Sequence, residues 1–177
     1  MDQKLITILG PTAVGKTKLA AKLAFKYNGE IISADSRQVY KGMDIGTGKD
    51  YADYIVNQNQ IKHHLIDIKD PTEEFNLYDF VQEFNSAHTK IISGNKIPFL
   101  VGGTGLYLSA ILQGYNLTKA NLSGDRFNEL AENNIDQLRK MLLNLNPNLH
   151  NTTDLNLKDR IIKAIIVAEA EANKNEV

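Results

Sequence analysis

The sequence predicts an α/β fold: a parallel sheet flanked by helices, with a small helical insertion. Three observations carry this. Short runs rich in β-branched and apolar residues recur at 5–9, 30–33, 65–68 and 98–101, with helical patterns between and after them at 16–27, 77–93 and 106–112. Such alternation implies βαβ units. The first run leads directly into Gly10-Pro11-Thr12-Ala13-Val14-Gly15-Lys16-Thr17, which matches G-x-x-x-x-G-K-[ST]. Beyond Gly114 the chain turns polar and helical.

Taken in order, residues 5–9 form a buried strand and 16–27 a helix, so Gly10, Thr12, Ala13, Val14, Gly15, Lys16 and Thr17 join them as a phosphate-binding loop. Backbone N–H groups of such a loop point at an anion, and the helix N-terminus adds a favourable dipole. Lys16 supplies a point charge for phosphate oxygens, and the Thr17 hydroxyl is placed to bind Mg²⁺. The sheet is therefore P-loop NTPase-like, with ligands expected beyond the carboxyl ends of the strands. After the core come amphipathic helices at 126–134 and 135–145, an asparagine-rich loop at 144–156 and a last helix at 157–172. The expected organisation is a core at 1–114, a helical insertion at 115–156, and a helix at 157–177 returning to the core.

Composition narrows the class. The chain has 177 residues, 42% hydrophobic, enough for a buried core, and no apolar run of membrane-spanning length. Cysteine is absent, which removes disulfides and thiolate metal sites and agrees with a reducing, cytoplasmic setting. The formal net charge is −1, so any nucleic-acid contact must rest on a local patch.

Two stretches at the expected ligand edge carry chemistry. In Asp35-Ser36-Arg37-Gln38-Val39-Tyr40-Lys41-Gly42-Met43-Asp44-Ile45-Gly46-Thr47, Asp35 reads as a proton acceptor or Mg²⁺ partner, or else as a helix N-cap. In Gly102-Gly103-Thr104-Gly105-Leu106-Tyr107, Thr104 reads as a ligand contact or as the cap of the next helix. Tyr40 and Tyr107 read as stacking partners for a base or as packing residues, and Met43 as core. His63 and His64 are neighbours on a strand, face opposite ways and make no metal pair. Asp67 and Asp70 read as turn residues before Pro71, or else as Mg²⁺ ligands through water.

The stretches GPTAVGKT, DSRQVYKGMDIGT and VGGTGLY, in this order and spacing, resemble the tRNA dimethylallyltransferase family, densely over 5–114 and thinly afterwards. The resemblance implies transfer of a dimethylallyl group from dimethylallyl diphosphate to the N6 amine of adenine 37 in the tRNA anticodon loop, with Mg²⁺. It implies Asp35 as general base and Thr104 as a group that helps place adenine and leaving group. Asp35, Ser36, Arg37, Gln38, Thr104, Arg126 and Arg160 then contact tRNA. The partners implied are dimethylallyl diphosphate and tRNA, with the protein a monomer off the membrane.

Departures are local, except at the C-terminus. The family reads Gly-Thr-Ala-Lys-Pro where this chain has Gly46-Thr47-Gly48-Lys49-Asp50, and the late helix around Arg160 differs from the family pattern. Family members add basic helical segments beyond that helix, whereas this sequence stops at Val177. Three readings stay open: a fragment, an unusually short paralogue, or a chain with a disordered tail left out. For a chain lacking that part, the expectation is dimethylallyl diphosphate binding with weak tRNA binding and little or no prenyl transfer. The alternatives in function are an adenylate isopentenyltransferase acting on free nucleotide, a small P-loop kinase, and an inactive truncated form.

Overall fold

The structure is a computed structural model and describes residues 5–115, 117–147 and 155–175. These fall into two compact units, 1–115 and 116–177. In the first, β1 (Ile6–Leu9), β2 (Gly29–Ala34), β5 (His63–His64) and β6 (Ile97–Gly102) form one sheet in the order β1-β6-β2-β5, with every pairing parallel. The central strands β2 and β6 are buried along nearly their whole length; β6 reads as an apolar run, whereas β2 also buries Glu30 and Ser33, each with a partner. Ala20, Ala21 and Ala24 of α1 (Lys16–Lys26) pack with Ile31, Phe99 and Val101, and their small side chains allow close approach to the sheet. Ile32 and Leu100 alternate to the other face, and α2 (Leu77–Ser93) packs on the same two strands with Phe80, Phe84 and Ile91 buried. The short α3 (Gly105–Leu112) packs against α2, where Tyr107 stacks on Phe80 at 4.0 Å between ring centroids. Tyr107 is thus a core residue and is not free to stack on a base.

Helix starts were well encoded. Asn76 and Asp79 form a reciprocal capping box at α2, and Asn134 and Gln137 do the same at α5 (Ile135–Leu145). Both helices have the bounds that the sequence predicts.

Three expectations fail in the first unit. β1, expected to be buried, is an edge strand with Ile6 and Leu9 exposed. The third strand is not 65–68 but lies two residues earlier, at His63–His64. Leu65 and Asp67 adopt φ of 64° and 54°, which no strand residue holds, so the apolar run there reports burial instead of pairing. Met43 is 45% exposed and does not belong to the core. A hairpin also appears that the sequence reading lacks: β3 (Ile55–Val56) pairs with β4 (Asn59–Gln60), preceded by a 3₁₀ turn at Tyr51–Tyr54. Its two-residue turn has Asn57 and Gln58 at φ 50° and 63°, the primed geometry that suits strand twist but here lacks the usual glycine.

In the second unit, α4 (Asp125–Ala131), α5 and α6 (Lys158–Asn175) enclose Leu130, Leu138, Leu142, Ile161, Ile162 and Ile165. The three-segment division of the sequence becomes two units, since α6 is grouped with α4 and α5 around that apolar cluster. The asparagine-rich loop at 144–156 lies largely outside the described residues. No helix among the described residues is long and apolar enough to cross a membrane.

Two ionic clusters brace the first unit. Glu30, at the start of β2, is buried and receives Lys96 at 2.7 Å, His64 at 2.6 Å and Lys62 at 3.2 Å. Burial alone would raise its pKa, but these three partners win and hold it at about 2, against an ordinary 4.5. On the far side of the sequence, the Lys49 side chain is fully buried, with Nζ 2.5 Å from Asp67, 3.2 Å from Asp44 and 2.5 Å from the Tyr40 carbonyl. Burial opposes the charged ammonium, yet the bonds to Asp67 and Asp44 raise its pKa overall.

Each cluster gives a prediction. A folded-state pKa below the unfolded one adds stability above pH 4.5 that is lost as pH falls toward 2. Glu30→Gln should therefore flatten the acid limb of stability between those values and cost about 1.5–3 kcal/mol at neutral pH. Urea unfolding at several pH values measures both, and an unchanged acid limb would remove Glu30 from the account. Lys49→Met should destabilise by less than the about 3–5 kcal/mol typical of a broken buried pair, because Asp44 and Asp67 are 57% and 33% exposed. Its local signature is faster amide exchange over residues 38–48; exchange as slow as in the unsubstituted chain would show that other contacts order this segment.

Candidate functional site

The parallel register brings three loops to one edge of the sheet. Leu9 pairs with Gly102, and Ala34 pairs with Gly102 from the other side. A Cβ at residue 102 would lie 2.3 Å from the Ala34 carbonyl oxygen, so only glycine permits this spacing. The chain leaves all three strands at the same level, and the loops at 10–17, 35–38 and 103–104 converge on a cavity of about 300 Å³.

The first wall is the loop before α1. Ala13 and Gly15 take left-handed φ of 63° and 80°, folding the backbone back on itself. Gly15 is the N-cap of α1 and no side chain caps the helix, so the first-turn N–H groups keep their capacity for an anion. Lys16 Nζ donates to the Pro11 carbonyl at 2.5 Å, which holds the ammonium across the loop. Thr12, Ala13, Gly15, Lys16 and Thr17 line the cavity; Gly10 and Val14 do not.

The second wall follows β2. Asp35 accepts the Arg37 N–H at 2.9 Å and lies 3.8 Å from the Arg37 guanidinium. This is an Asx turn, so Asp35 caps a turn rather than a helix. One carboxylate oxygen is committed there, and the side chain remains 24% exposed at the cavity. Ser36 and Arg37 line the same wall. Gln38 is buried and chiefly structural: it accepts from Ser33 Oγ at 2.8 Å and donates to the carbonyls of Thr47 and Gly48. Backbone N–H groups of Asp67, Ile68 and Lys69 donate to Gln38 and Val39, so the buried Lys49–Asp67 pair backs this wall.

The third wall contains Gly103 and Thr104. Thr104 occupies the N-cap position of α3 but its hydroxyl makes no capping bond, which leaves it available at the cavity. Asp53 and Tyr54 complete the lining and are absent from the sequence reading. Tyr54 is buried, lines the cavity together with Thr17 and packs on His63 at 4.4 Å between ring centroids. Burial raises its phenol pKa, and Asp53 and Asp35 nearby add to the rise. The Y-A-D-Y stretch has no period or motif to flag it, and only its place after the G-T-G-K turn could have done so.

Arg126 and Arg160 belong to the second unit, and the cavity is lined entirely by the first. Arg126 is held in a fork by Glu169 at 2.6 and 3.0 Å and by Glu129 at 2.9 Å; these bonds raise its pKa. An RNA phosphate would have to compete with both carboxylates. Arg160 is exposed in the first turn of α6. The histidines form no metal pair: His64 bonds Glu30, whereas His63 faces Tyr54. Asp67 is taken by Lys49 and Tyr51, and Asp70 by Thr72.

One end of the cavity offers N–H groups and an ammonium to an anion, and a neighbouring wall offers a partly free carboxylate. That pairing suits displacement of an anionic leaving group by a nucleophile that must lose a proton.

The sequence profile of the IPP transferase family matches residues 38–176. The tRNA dimethylallyltransferase 1 of Geotalea daltonii is 48% identical over 168 residues, covering 95% of this chain and 53% of that protein. Among solved structures, the full-length tRNA isopentenylpyrophosphate transferase of Bacillus halodurans superposes with a TM-score of 0.61 at 40% identity, over 96% of this chain and 56% of that one. A eukaryotic dimethylallyltransferase acting on tRNA gives 0.72 at 28% identity, over 98% and 45%. The chain spans about half the length of the curated relatives it matches. With a profile match over most of its length and relatives near half identical, this chain belongs to the IPP transferase family.

Proposed function

We propose that this chain carries the catalytic part of a tRNA dimethylallyltransferase. It moves the five-carbon dimethylallyl group from dimethylallyl diphosphate to the N6 amine of adenine 37 in the tRNA anticodon loop, as a cytoplasmic monomer. One observation carries the reading: a single cavity joins Lys16 and the N-terminus of α1 to Asp35 and Thr104. The names of the relatives support the same chemistry.

The diphosphate lies against the 12–17 loop, where Lys16 exchanges the Pro11 carbonyl for phosphate oxygens. Negative charge grows on the diphosphate as the allylic carbon–oxygen bond breaks, and fixed N–H groups and the ammonium stabilise that charge where it develops. The adenine amine forms the new carbon–nitrogen bond and passes a proton to the Asp35 carboxylate. The base must leave its stack to enter the cavity, and Thr104 and the Asp35–Arg37 turn hold it there.

Mg²⁺ fits the donor set. Among the described residues no cluster of three His, Asp or Glu could hold a metal alone, and Mg²⁺ commonly binds through one or two protein oxygens plus substrate phosphates. Thr17 would hold it, with the carboxylates of Asp35 and Asp53 on the same cavity. When bound, it would neutralise charge on the leaving diphosphate.

Two substitutions separate binding from chemistry. Lys16→Ala should sharply weaken dimethylallyl diphosphate binding in calorimetric titration, while circular dichroism stays unchanged. Equal affinities would sink the donor site, and a strong preference for ATP over pyrophosphate would point to a kinase. In the full-length enzyme, Asp35→Asn should keep donor affinity yet slow single-turnover transfer to an anticodon stem-loop by roughly 10²–10⁴-fold. Transfer at the unsubstituted rate would return Asp35 to its turn-capping role alone.

A further inference from the structure

A second cavity of about 370 Å³ lies between α1 and the β3–β4 hairpin, and Asp53 lines both it and the first cavity. Its α1 side is formed by Lys18 and Lys22. Both are exposed, and neither has a hydrogen bond or ion pair among the described residues. The opposite side is formed by Ile55, Val56 and Asn57 of the hairpin. We propose that this groove binds the phosphodiester backbone of single-stranded RNA, next to the nucleotide whose base enters the first cavity. The proposal rests on the tRNA reading above and names a contact surface for that substrate.

The charge pattern of α1 is the first argument. The helix reads KTKLAAKLAFK, with no acidic residue in its first turn or anywhere along it. Cations near a helix N-terminus oppose the macrodipole and each costs about 0.3–1 kcal/mol. Lys16 is explained by the first cavity, but Lys18 is not; an anion lying along this face would offset the penalty. Lys18 and Lys22 are four apart, so they project from one face with Cβ atoms about 5–6 Å apart. Two flexible point charges in that arrangement suit successive phosphates of one strand better than one small anion.

The hairpin is the second argument. Asn57, Gln58, Asn59 and Gln60 are all exposed, and Asn59 Nδ2 donates to the Asn57 carbonyl at 2.8 Å, which stiffens the tip. Amide side chains bond base edges and 2′-hydroxyls, the groups that distinguish single-stranded RNA from a simple polyanion. Ile55, 55% exposed at the groove, offers an apolar surface for a ribose or base. The shared Asp53 makes the two cavities neighbours, so a strand can pass from one to the other.

Fluorescence anisotropy with a labelled anticodon stem-loop, titrated between about 50 and 200 mM KCl, tests the proposal on the whole chain. Lys18→Gln combined with Lys22→Gln should weaken binding roughly tenfold at low salt. The slope of log affinity against log salt should flatten by about 1.4, as two single-strand phosphate contacts are lost. Inorganic pyrophosphate should titrate to one site with the same affinity in both proteins. Unchanged RNA affinity and slope would overturn the groove while leaving the donor site intact. A second pyrophosphate site that vanishes in the variant would also overturn it, assigning the lysines to a small anion. Should the unsubstituted chain bind pyrophosphate but no RNA, the groove fails alone; should it bind neither, the function reading fails with it.

Discussion

The buried ammonium of Lys49 ties together segments that no regular element connects. It reaches the Tyr40 carbonyl, Asp44 and Asp67, and the backbone of 67–69 bonds in turn to 38–41. The wall that carries Asp35, Ser36 and Arg37 is irregular chain, so its position depends on this cross-link and on Gln38, which clamps Ser33 to the Thr47–Gly48 backbone. A lysine can sit fully buried here because two carboxylates and a carbonyl satisfy all three of its donors. The left-handed backbone at Leu65 and Asp67 is a consequence: the chain bends sharply to aim Asp67 at Lys49.

That dependence explains which parts of the molecule were legible in the sequence. Elements governed by local rules were read well. The loop before α1, the capped α2 and α5, and the apolar β2 and β6 each announce themselves within a dozen residues. Segments held by distant partners were not. Residues 65–68 look like a strand because Leu65 and Ile66 are buried, but only a lysine sixteen or more positions away determines their path. The same holds for Tyr54, whose place against Thr17 and His63 follows from the hairpin and β5 rather than from its neighbours. In the candidate site, the loop at 10–17 is therefore visible as a motif, whereas Asp53 and Tyr54 are not.

The sheet contributes alignment where Lys49 contributes shape. β6 lies between β1 and β2, and its glycine at 102 lets the Ala34 backbone come within reach on one side while Leu9 pairs on the other. The three strands end level, so Lys16 and Asp35, nineteen residues apart in sequence, line one cavity. Separation of the two functions onto different strands keeps Lys16 from pairing with Asp35: the ammonium rests on a carbonyl, and the carboxylate rests on the Arg37 N–H and guanidinium.

A net charge of −1 looks unsuited to a polyanionic partner, but the sum conceals how the charges are arranged. Lys62 and Lys96 are paired with Glu30, Lys49 with Asp44 and Asp67, Lys69 with Glu73, Arg139 with Asp136, and Arg126 with Glu129 and Glu169. The Glu30 cluster keeps one positive charge, the Lys49 and Arg126 clusters keep one negative charge each, and the other two pairs cancel, so together these groups offer a distant phosphate no net attraction. What remains matters more. On α1, Lys16, Lys18 and Lys22 stand in the first two turns of a helix with no carboxylate of its own, where the helix dipole already presents positive charge. Among the described residues, α1 thus presents Lys16, Lys18 and Lys22 with no carboxylate on the same helix, at the end that borders the cavity.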